Sequence, residues 1–374
     1  MGPGAVTAKF TASTDWTTFD RSLVQGLLNR GAITVSVAVA DHGTIVHTAA
    51  GGPIDRDTGV PATPAALFRV ASNSKVLTGT VIMELVEQGK LQLDEDVLPL
   101  VAKKLGVRLA DARMTSVTLK QLLSHTSGFA VFRPQFFDAA ASSCPDAARQ
   151  GLTRALQHDP GAAYQYSNMN FCVLGQLIEL ITGTPYEQAI RDRLLTPLGI
   201  TDMRVAATYD TQQGDVRHPT RPGRNYMEAL GPAGAWIGTA SDLVNIIDSL
   251  DDSLPGFHPL QPATVKLMQT ALPIAYFNPG NAYGLALRLW SDGTWGHTGT
   301  VESAHSMVIH RPDGITWAVV INGEVPSDTD KIRTSVDAAF ATLHVPSPIA
   351  DPTIYTVPVP TIPPGIPTTT ADDG

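Results

Sequence analysis

Phe68-Arg69-Val70-Ala71-Ser72-Asn73-Ser74-Lys75 runs into an apolar segment, and at that junction a serine and a lysine stand three residues apart. Three residues is close to one helical turn, so Ser72 and Lys75 share a face. From Val76 to Gly89 the positions Val76, Leu77, Val81, Ile82, Leu85 and Val86 recur with helical period, which predicts a buried helix stopped at Gly89. At the N-terminal end of such a helix the unpaired N–H groups favour a developing oxyanion, and a desolvated ammonium can lose its proton and serve as a base. The pair reads as a nucleophile beside its activator. The same residues also fit a capping serine followed by a solvated charge.

At 374 residues, with 43% hydrophobic and 16% charged content, the chain can fill a sizeable core and form two lobes. A net charge of −9 and scattered lysines and arginines argue against nucleic acid or an anionic membrane surface as partner. Small molecules or peptides are the expected ligands. The longest strand-like apolar run, Ile33 to Ala40, is far short of the roughly 18 to 20 residues that cross a bilayer. Met1 to Phe10 has Lys9 as its only charge and no apolar core of signal-peptide length, which leaves a cytoplasmic protein or one whose leader has been removed. Cys144 and Cys172 allow one bridge or two buried thiols. The ten histidines form no HExxH pair and no GxxxxGK[ST] loop occurs, so neither a metal nor a nucleotide cofactor is expected.

Residues 33–40 alternate as a strand, Asp41-His42-Gly43 turns, and Thr44 to Ala49 returns antiparallel. Near the other end, Tyr283 to Trp290, Thr294 to Thr298, Ser306 to Arg311 and Ile315 to Asn322 read as further strands, giving one antiparallel sheet of about five. Helices are expected at Thr118 to His125, Asn168 to Thr182, Tyr186 to Leu195 and Ser241 to Leu250, with Asn168 and Ser241 as N-caps. Leu23 to Leu28 and Asp328 to Leu343 read as helices covering the sheet. A sheet drawn from both ends with a helical insertion over about 90–215 makes two lobes with a cleft between them. Eight prolines between Pro346 and Pro367 mark an extended tail over 346–374.

Two further stretches bear chemistry. Tyr166-Ser167-Asn168 closes a loop on a helix start, where a phenol and an amide can project into a cleft, although packing and capping alone would also account for them. His297-Thr298-Gly299-Thr300 puts a glycine inside a strand, which is costly unless another group must approach the backbone closely. A substrate lying antiparallel along that strand would be such a group.

Ser72-x-x-Lys75, Tyr166-Ser167-Asn168 and His297-Thr298-Gly299, in that order and spacing, resemble the three motifs of the serine penicillin-recognising hydrolases. The chain is most similar to the branch that holds class C β-lactamases, soluble serine D-Ala-D-Ala carboxypeptidases, D-aminopeptidases and related esterases, where a tyrosine opens the second motif. The resemblance runs from Ile33 through Leu119 to Gly128 and Pro160 to Gly183 and on to Trp317. His-Thr-Gly-Thr in the third motif, together with the arginine of Tyr283-Gly284-Leu285-Ala286-Leu287-Arg288, resembles the carboxypeptidases most. A departure lies in Ala229-Leu230-Gly231-Pro232-Ala233-Gly234, which lacks the pocket aromatic of those enzymes and leaves Trp236 as the nearest substitute.

The resemblance implies an α+β, β-lactamase/transpeptidase-like fold, with a five-stranded antiparallel sheet flanked by helices and an inserted all-helical lobe. The hydrolase domain would span 16–345, between a flexible N-terminus at 1–15 and the tail at 346–374. It implies a serine acyl-transfer hydrolase of D-alanyl-D-alanine carboxypeptidase type, with an esterase or weak β-lactamase as the alternative within the fold and a silent peptidoglycan-peptide sensor as the alternative outside catalysis. Ser72 would attack, Lys75 take its proton, and Tyr166 relay a proton to the leaving group. Asn168, His297, Thr298, Gly299, Thr300 and Arg288 would bind substrate, with His297 and Thr298 touching a carboxylate, Arg288 receiving it, and the backbone N–H groups of Ser72 and Thr300 forming the oxyanion hole. The same resemblance implies export to the cell envelope or beyond. No cofactor is implied.

Overall fold

All eight residues of Thr34–Asp41 (β1) are buried, although only every second one is large. In the computed structural model, which describes residues 9–345 apart from 12, 279 and 327, β1 lies inside an antiparallel sheet covered on both faces. From one edge the order is Thr44–Gly51 (β2), β1, Ile315–Asn322 (β11), Ala304–His310 (β10), Trp295–Val301 (β9), Arg288–Trp290 (β8), Asn281–Tyr283 (β7) and Tyr276–Asn278 (β6). Val35, Val37 and Val39 face a core closed by the helix Asp330–Ala341 and the helical turns of Thr17–Asp20, Arg21–Gln25 and Gly26–Asn29. Ala38 and Ala40 face the larger core shared with Ser74–Glu87 and Asn168–Thr182. Small residues on that face let helices approach the sheet closely.

The antiparallel α+β architecture matches the sequence reading, but the sheet has eight strands where five were expected. The difference arises in part at Tyr276–Asn278, an edge strand that the sequence reading does not include, and in part at 283–290, which it reads as one strand. There β7 ends at Tyr283 and β8 starts at Arg288, because Gly284 N–H turns back to Leu287 O (2.9 Å) and Ala286 takes a left-handed conformation. The neighbouring backbone bonds outward instead, Leu285 to Met268 O and Ala286 to Leu123 O. A separate three-stranded sheet, Phe68–Arg69 (β3), Trp236–Gly238 (β5) and Arg204–Val205 (β4) in the order β3-β5-β4, had no signal strong enough to read. The tail at 346–374 and most of the first eleven residues lie outside the described residues.

Ser74–Glu87 is buried on nearly every side, so its glycine is a contact and not a weakness. A Cβ on Gly79 would stand 2.2 Å from Ala286 Cβ. In the same way Gly175 of Asn168–Thr182 receives the ring of Pro232, 2.2 Å from where its Cβ would be. Cys144 and Cys172 are joined, tying Cys144–Leu152 to Asn168–Thr182. Asn168 is not the helix cap expected: Ser167 caps, its hydroxyl accepting from Met169 N–H, and the Asn168 side chain is free for other work. Ser241 likewise yields to Thr239, which forms a capping box with Asp242.

At the far end of β10, His310 is enclosed by two carboxylates, 3.5 Å from Asp248 and 3.2 Å from Asp251, with Thr316 Oγ1 at 2.8 Å. Burial alone would lower the imidazole pKa, but its bonds to Asp248 and Asp251 outweigh burial and raise it. The folded chain therefore binds a proton that the unfolded chain releases at about pH 6.5. The stabilisation is full below that pH and is lost as pH rises through the higher folded value. We expect thermal melts of the wild type to show this decline, and His310→Gln to flatten it while costing on the order of 3 kcal/mol on the acid side. Parallel pH profiles in the two proteins would refute it.

Candidate active site

Ser72 stands on a tight turn, Ala71–Asn73, which leads from β3 into Ser74–Glu87. Ala71 takes φ 48°, a left-handed conformation unfavourable for any residue with a Cβ. Ser74 secures the next step, donating to Ala71 O (2.7 Å) and accepting from Trp236 N–H (3.2 Å). The turn leaves Ser72 9% exposed.

Lys75, one turn on, is fully buried, with its Nζ 3.0 Å from Ser72 Oγ, 2.7 Å from Asn168 Oδ1 and 2.8 Å from Ala233 O. All three partners are neutral. Burial, reinforced by the charge of Arg288, holds the Lys75 pKa well below the ordinary lysine value. A neutral amine has two N–H bonds and one lone pair. The Asn168 and Ala233 carbonyl oxygens can accept only, so they take the two N–H bonds and leave the lone pair to accept from the Ser72 hydroxyl. Sequence reading missed the Ala233 carbonyl, since a backbone group leaves no residue-type signal. It is fixed by its neighbour Pro232, whose ring sits on Gly175 and whose carbonyl accepts from Thr78 (2.8 Å).

Tyr166 comes from the loop before Asn168–Thr182, its phenol hydrogen-bonded to Ser72 and its ring 4.9 Å from Lys75 Nζ. Desolvation pushes its pKa up to about 12, partly offset by the charge of Arg288. A phenol so raised could carry a proton but would not stand as a base, whereas neutral Lys75, with its lone pair toward Ser72, could. His125 packs 4.2 Å from the Tyr166 ring and accepts from Ser167 N–H and Asn170 through Nδ1, so it braces the loop that carries Tyr166.

The third wall is β9. It pairs with β10 along its whole length but with β8 only at Trp295 and Gly296, so among the described strands none covers the edge from His297 to Val301. Gly299 lies against the nucleophile turn: a Cβ there would fall 2.5 Å from Val70 O and 2.9 Å from Ser72 N. That packing brings the edge carrying the Thr300 N–H beside the Ser72 N–H. His297 is buried, Nδ1 2.6 Å from Thr298 O and Nε2 2.8 Å from the Tyr283 hydroxyl. A carbonyl cannot donate, so Nδ1 bears the hydrogen and Nε2 accepts from Tyr283. Burial and the charge of Arg288 keep the ring neutral. His297 thus forms a wall with no free N–H for the carboxylate contact expected of it.

Arg288, aligned with Gly296 across β8 and β9, brings its guanidinium 6.0 Å from the Tyr166 ring centre. At the opposite end of the open edge a cleft of about 200 Å³ is lined by Thr300, Glu302, Arg221, Arg133, Phe137 and Tyr226, among others. Trp236 does not supply a pocket aromatic; it is wholly buried, its indole N–H bonded to Tyr186 (2.9 Å). Among the described residues no cluster of three or more His, Cys, Asp or Glu side chains could hold a metal ion, and no helix is long and apolar enough to cross a membrane.

The chain resembles known proteins in sequence and in fold. The family model for Beta-lactamase matches residues 19–341. Penicillin-binding protein 4 of Amycolatopsis lactamdurans is 30% identical over 82% of this chain and 86% of its own. Esterase EstB of Burkholderia gladioli is 27% identical over 80% and 88%. The octameric penicillin-binding protein homologue from Pyrococcus abyssi shares the fold, with a TM-score of 0.74 over 91% of this chain and 80% of that one at 21% identity.

If neutral Lys75 is the competent form, Ser72 acylation by p-nitrophenyl acetate rises with pH along an acid limb lying well below the ordinary lysine value of 10.5. Below that limb the amine is protonated and cannot take the serine proton. Lys75→Met should lower the rate about 10²- to 10⁴-fold and abolish the limb. Stopped-flow release of p-nitrophenol measures both, and a variant that retains the limb would assign it to another group.

Proposed function

The chain belongs to the Beta-lactamase family of serine hydrolases, and from that premise we propose a D-alanyl-D-alanine carboxypeptidase-like enzyme that acts through an acyl-enzyme on Ser72. The observation that carries this reading is the order of groups along the open edge of β9. Arg288 stands near Gly296 at one end, Ser72 against Gly299, and the cleft begins at Thr300. A peptide added antiparallel to that edge presents its terminal carboxylate to Arg288 and Thr298 and its acyl portion to the cleft. A guanidinium suits a carboxylate through paired hydrogen bonds.

In this mechanism the Ser72 proton passes to the Lys75 lone pair as Oγ bonds to the carbonyl carbon. The oxyanion is held by the Ser72 and Thr300 N–H groups, each worth about 3 kcal/mol. The C–N bond then breaks, a proton reaches the leaving amine through Tyr166, and D-alanine departs. Asn168, while holding Lys75, also faces the acyl amide. Water attacks the ester, returning Ser72 and releasing the shortened peptide. The Cys144–Cys172 bridge suits an oxidising compartment and supports export. The similarity to the esterase of Burkholderia gladioli supports a second reading, ester hydrolysis by the same machinery.

The test incubates the protein and Ser72→Ala with a fluorescent penicillin, followed by intact mass, beside nitrocefin, a p-nitrophenyl ester and a D-Ala-D-Ala peptide. A lasting Ser72-dependent adduct with release of D-alanine is the expected result. Arg288→Gln should then lower kcat/KM for the peptide about 10- to 150-fold, as for a lost charged partner of about 1.5–3 kcal/mol, while sparing the ester. Rapid ester turnover without a lasting adduct would move the assignment to an esterase. No Ser72-dependent reaction would point to a binding protein.

A further inference from the structure

The two oxyanion donors belong to separate parts of the fold, Ser72 N–H to the Ala71–Asn73 turn and Thr300 N–H to β9. Their separation depends on how closely that turn and that strand are drawn together. Gly299 makes the approach sterically open, but an open space does not fix a distance. Directly across from Gly299 on β10 is Ser306. Its hydroxyl donates to Val70 O (2.7 Å) and accepts from Asn73 Nδ2 (2.7 Å), and that same amide lies 3.4 Å from Val70 O. Asn73 N–H also bonds to Val70 O (3.2 Å), closing the turn on itself.

We propose that Asn73 and Ser306 are positioning residues which clamp the nucleophile turn onto β10, across Gly299, and so set the width of the oxyanion hole. Val70 and Asn73 bracket the turn, so the Ser306 hydroxyl grips it at both ends. Both side chains are fully buried. Asn73 Oδ1 is buried without a hydrogen-bond partner, so the amide is held at this position by what its N–H group does, and its carbonyl gains nothing there. Neither residue touches the reacting atoms. A cap has no part in this: Asn73 makes no side-chain cap bond to Ser74–Glu87. Hydrogen-bond donors stabilise an oxyanion only when preorganised at about 2.7–3.1 Å from it, so a small outward drift of β9 would weaken the transition state while leaving the bound substrate largely untouched.

The inference rests on Ser72 being the nucleophile, and the experiment separates the two. In wild type, Ser306→Ala, Asn73→Val and the double variant, stopped-flow labelling with a fluorescent penicillin gives the dissociation constant of the first complex and the acylation rate constant. Burst amplitude counts competent molecules, and affinity for a boronic acid, which forms a tetrahedral adduct on the serine, reports the oxyanion hole. Each single variant is expected to acylate about 10- to 100-fold more slowly and to bind the boronic acid correspondingly more weakly. The dissociation constant should stay within about twofold, and the double variant should be little worse than either single one, as for residues acting as a unit. Unchanged acylation in folded variants, a loss confined to amplitude, or losses that multiply in the double variant would overturn the clamp. Should Ser306→Ala not fold, Asn73→Val, which leaves the Ser306–Val70 bond in place, decides alone. A wild type that forms no Ser72-dependent adduct would overturn the functional reading and the clamp with it, whereas a wild type that is labelled beside unaffected variants would overturn the clamp alone.

Discussion

A lysine ammonium removed from water is stable only if its new neighbours return what hydration gave, and the neighbours of Lys75 are an amide oxygen, a peptide carbonyl and a hydroxyl. No carboxylate is among them, and Arg288 adds a repelling charge. Lys75 therefore loses its proton readily, and the geometry turns that loss to use by directing the lone pair at Ser72. Asn168 and Ala233 act in this scheme less as ligands of a cation than as supports of an amine. Each in turn depends on packing elsewhere: Asn168 on the Ser167 cap, Ala233 on the ring of Pro232 against Gly175.

Three glycines make that arrangement sterically feasible. Gly79 lets Ser74–Glu87 press on the Ala286 turn, Gly175 admits Pro232, and Gly299 lets β9 lie on the nucleophile turn. A Cβ at any of them would meet another atom at 2.5 Å or less. Such contacts hold a catalytic constellation to within fractions of an ångström, which flexible side chains alone would not do. The Ala286 turn links two parts of this framework. By interrupting β7 and β8 it ends the pairing of β8 with β9 at Gly296, and the strand edge beyond is left for a substrate.

The chemistry of the site was far more legible in the sequence than its walls. Ser72, Lys75 and Tyr166 announce themselves by residue type and spacing, and the structure brings them into contact. The long strands β1, β10 and β11 alternate clearly enough to read. The break at Gly284 was not readable, because the alternation of 283–290 continues through it and the bonds that cause it run to Leu123 and Met268, distant in sequence. The same holds for the Ala233 carbonyl and for Trp236, whose place in the core is set by a bond to Tyr186 and not by any local pattern. Asn168 was taken for a cap because asparagine favours that position; a serine one residue earlier does it instead, and only the tertiary contact with Lys75 explains the asparagine.

His297 shows how one residue type changes the electrostatic logic of such a site. A lysine at its position would put a flexible cation beside Lys75, and the field would favour almost any anion. The imidazole is instead neutral, its two nitrogens committed to Thr298 O and the Tyr283 hydroxyl. Arg288 remains the planar, permanently charged group at that end of the edge, and a planar fork discriminates by direction where a point charge does not. An anion is then stabilised when its oxygens lie in the plane of the guanidinium, and less so when it merely comes near. For the proposed peptide substrate, that geometry would select a carboxylate at a fixed distance from the scissile carbonyl. The same neutrality spares Lys75 a further repulsion, so its pKa is set by burial and by Arg288. An anion bound on Arg288 would partly cancel that repulsion and make Lys75 a stronger base, so the proposed carboxylate recognition and the proposed activation of Ser72 would be coupled through one guanidinium.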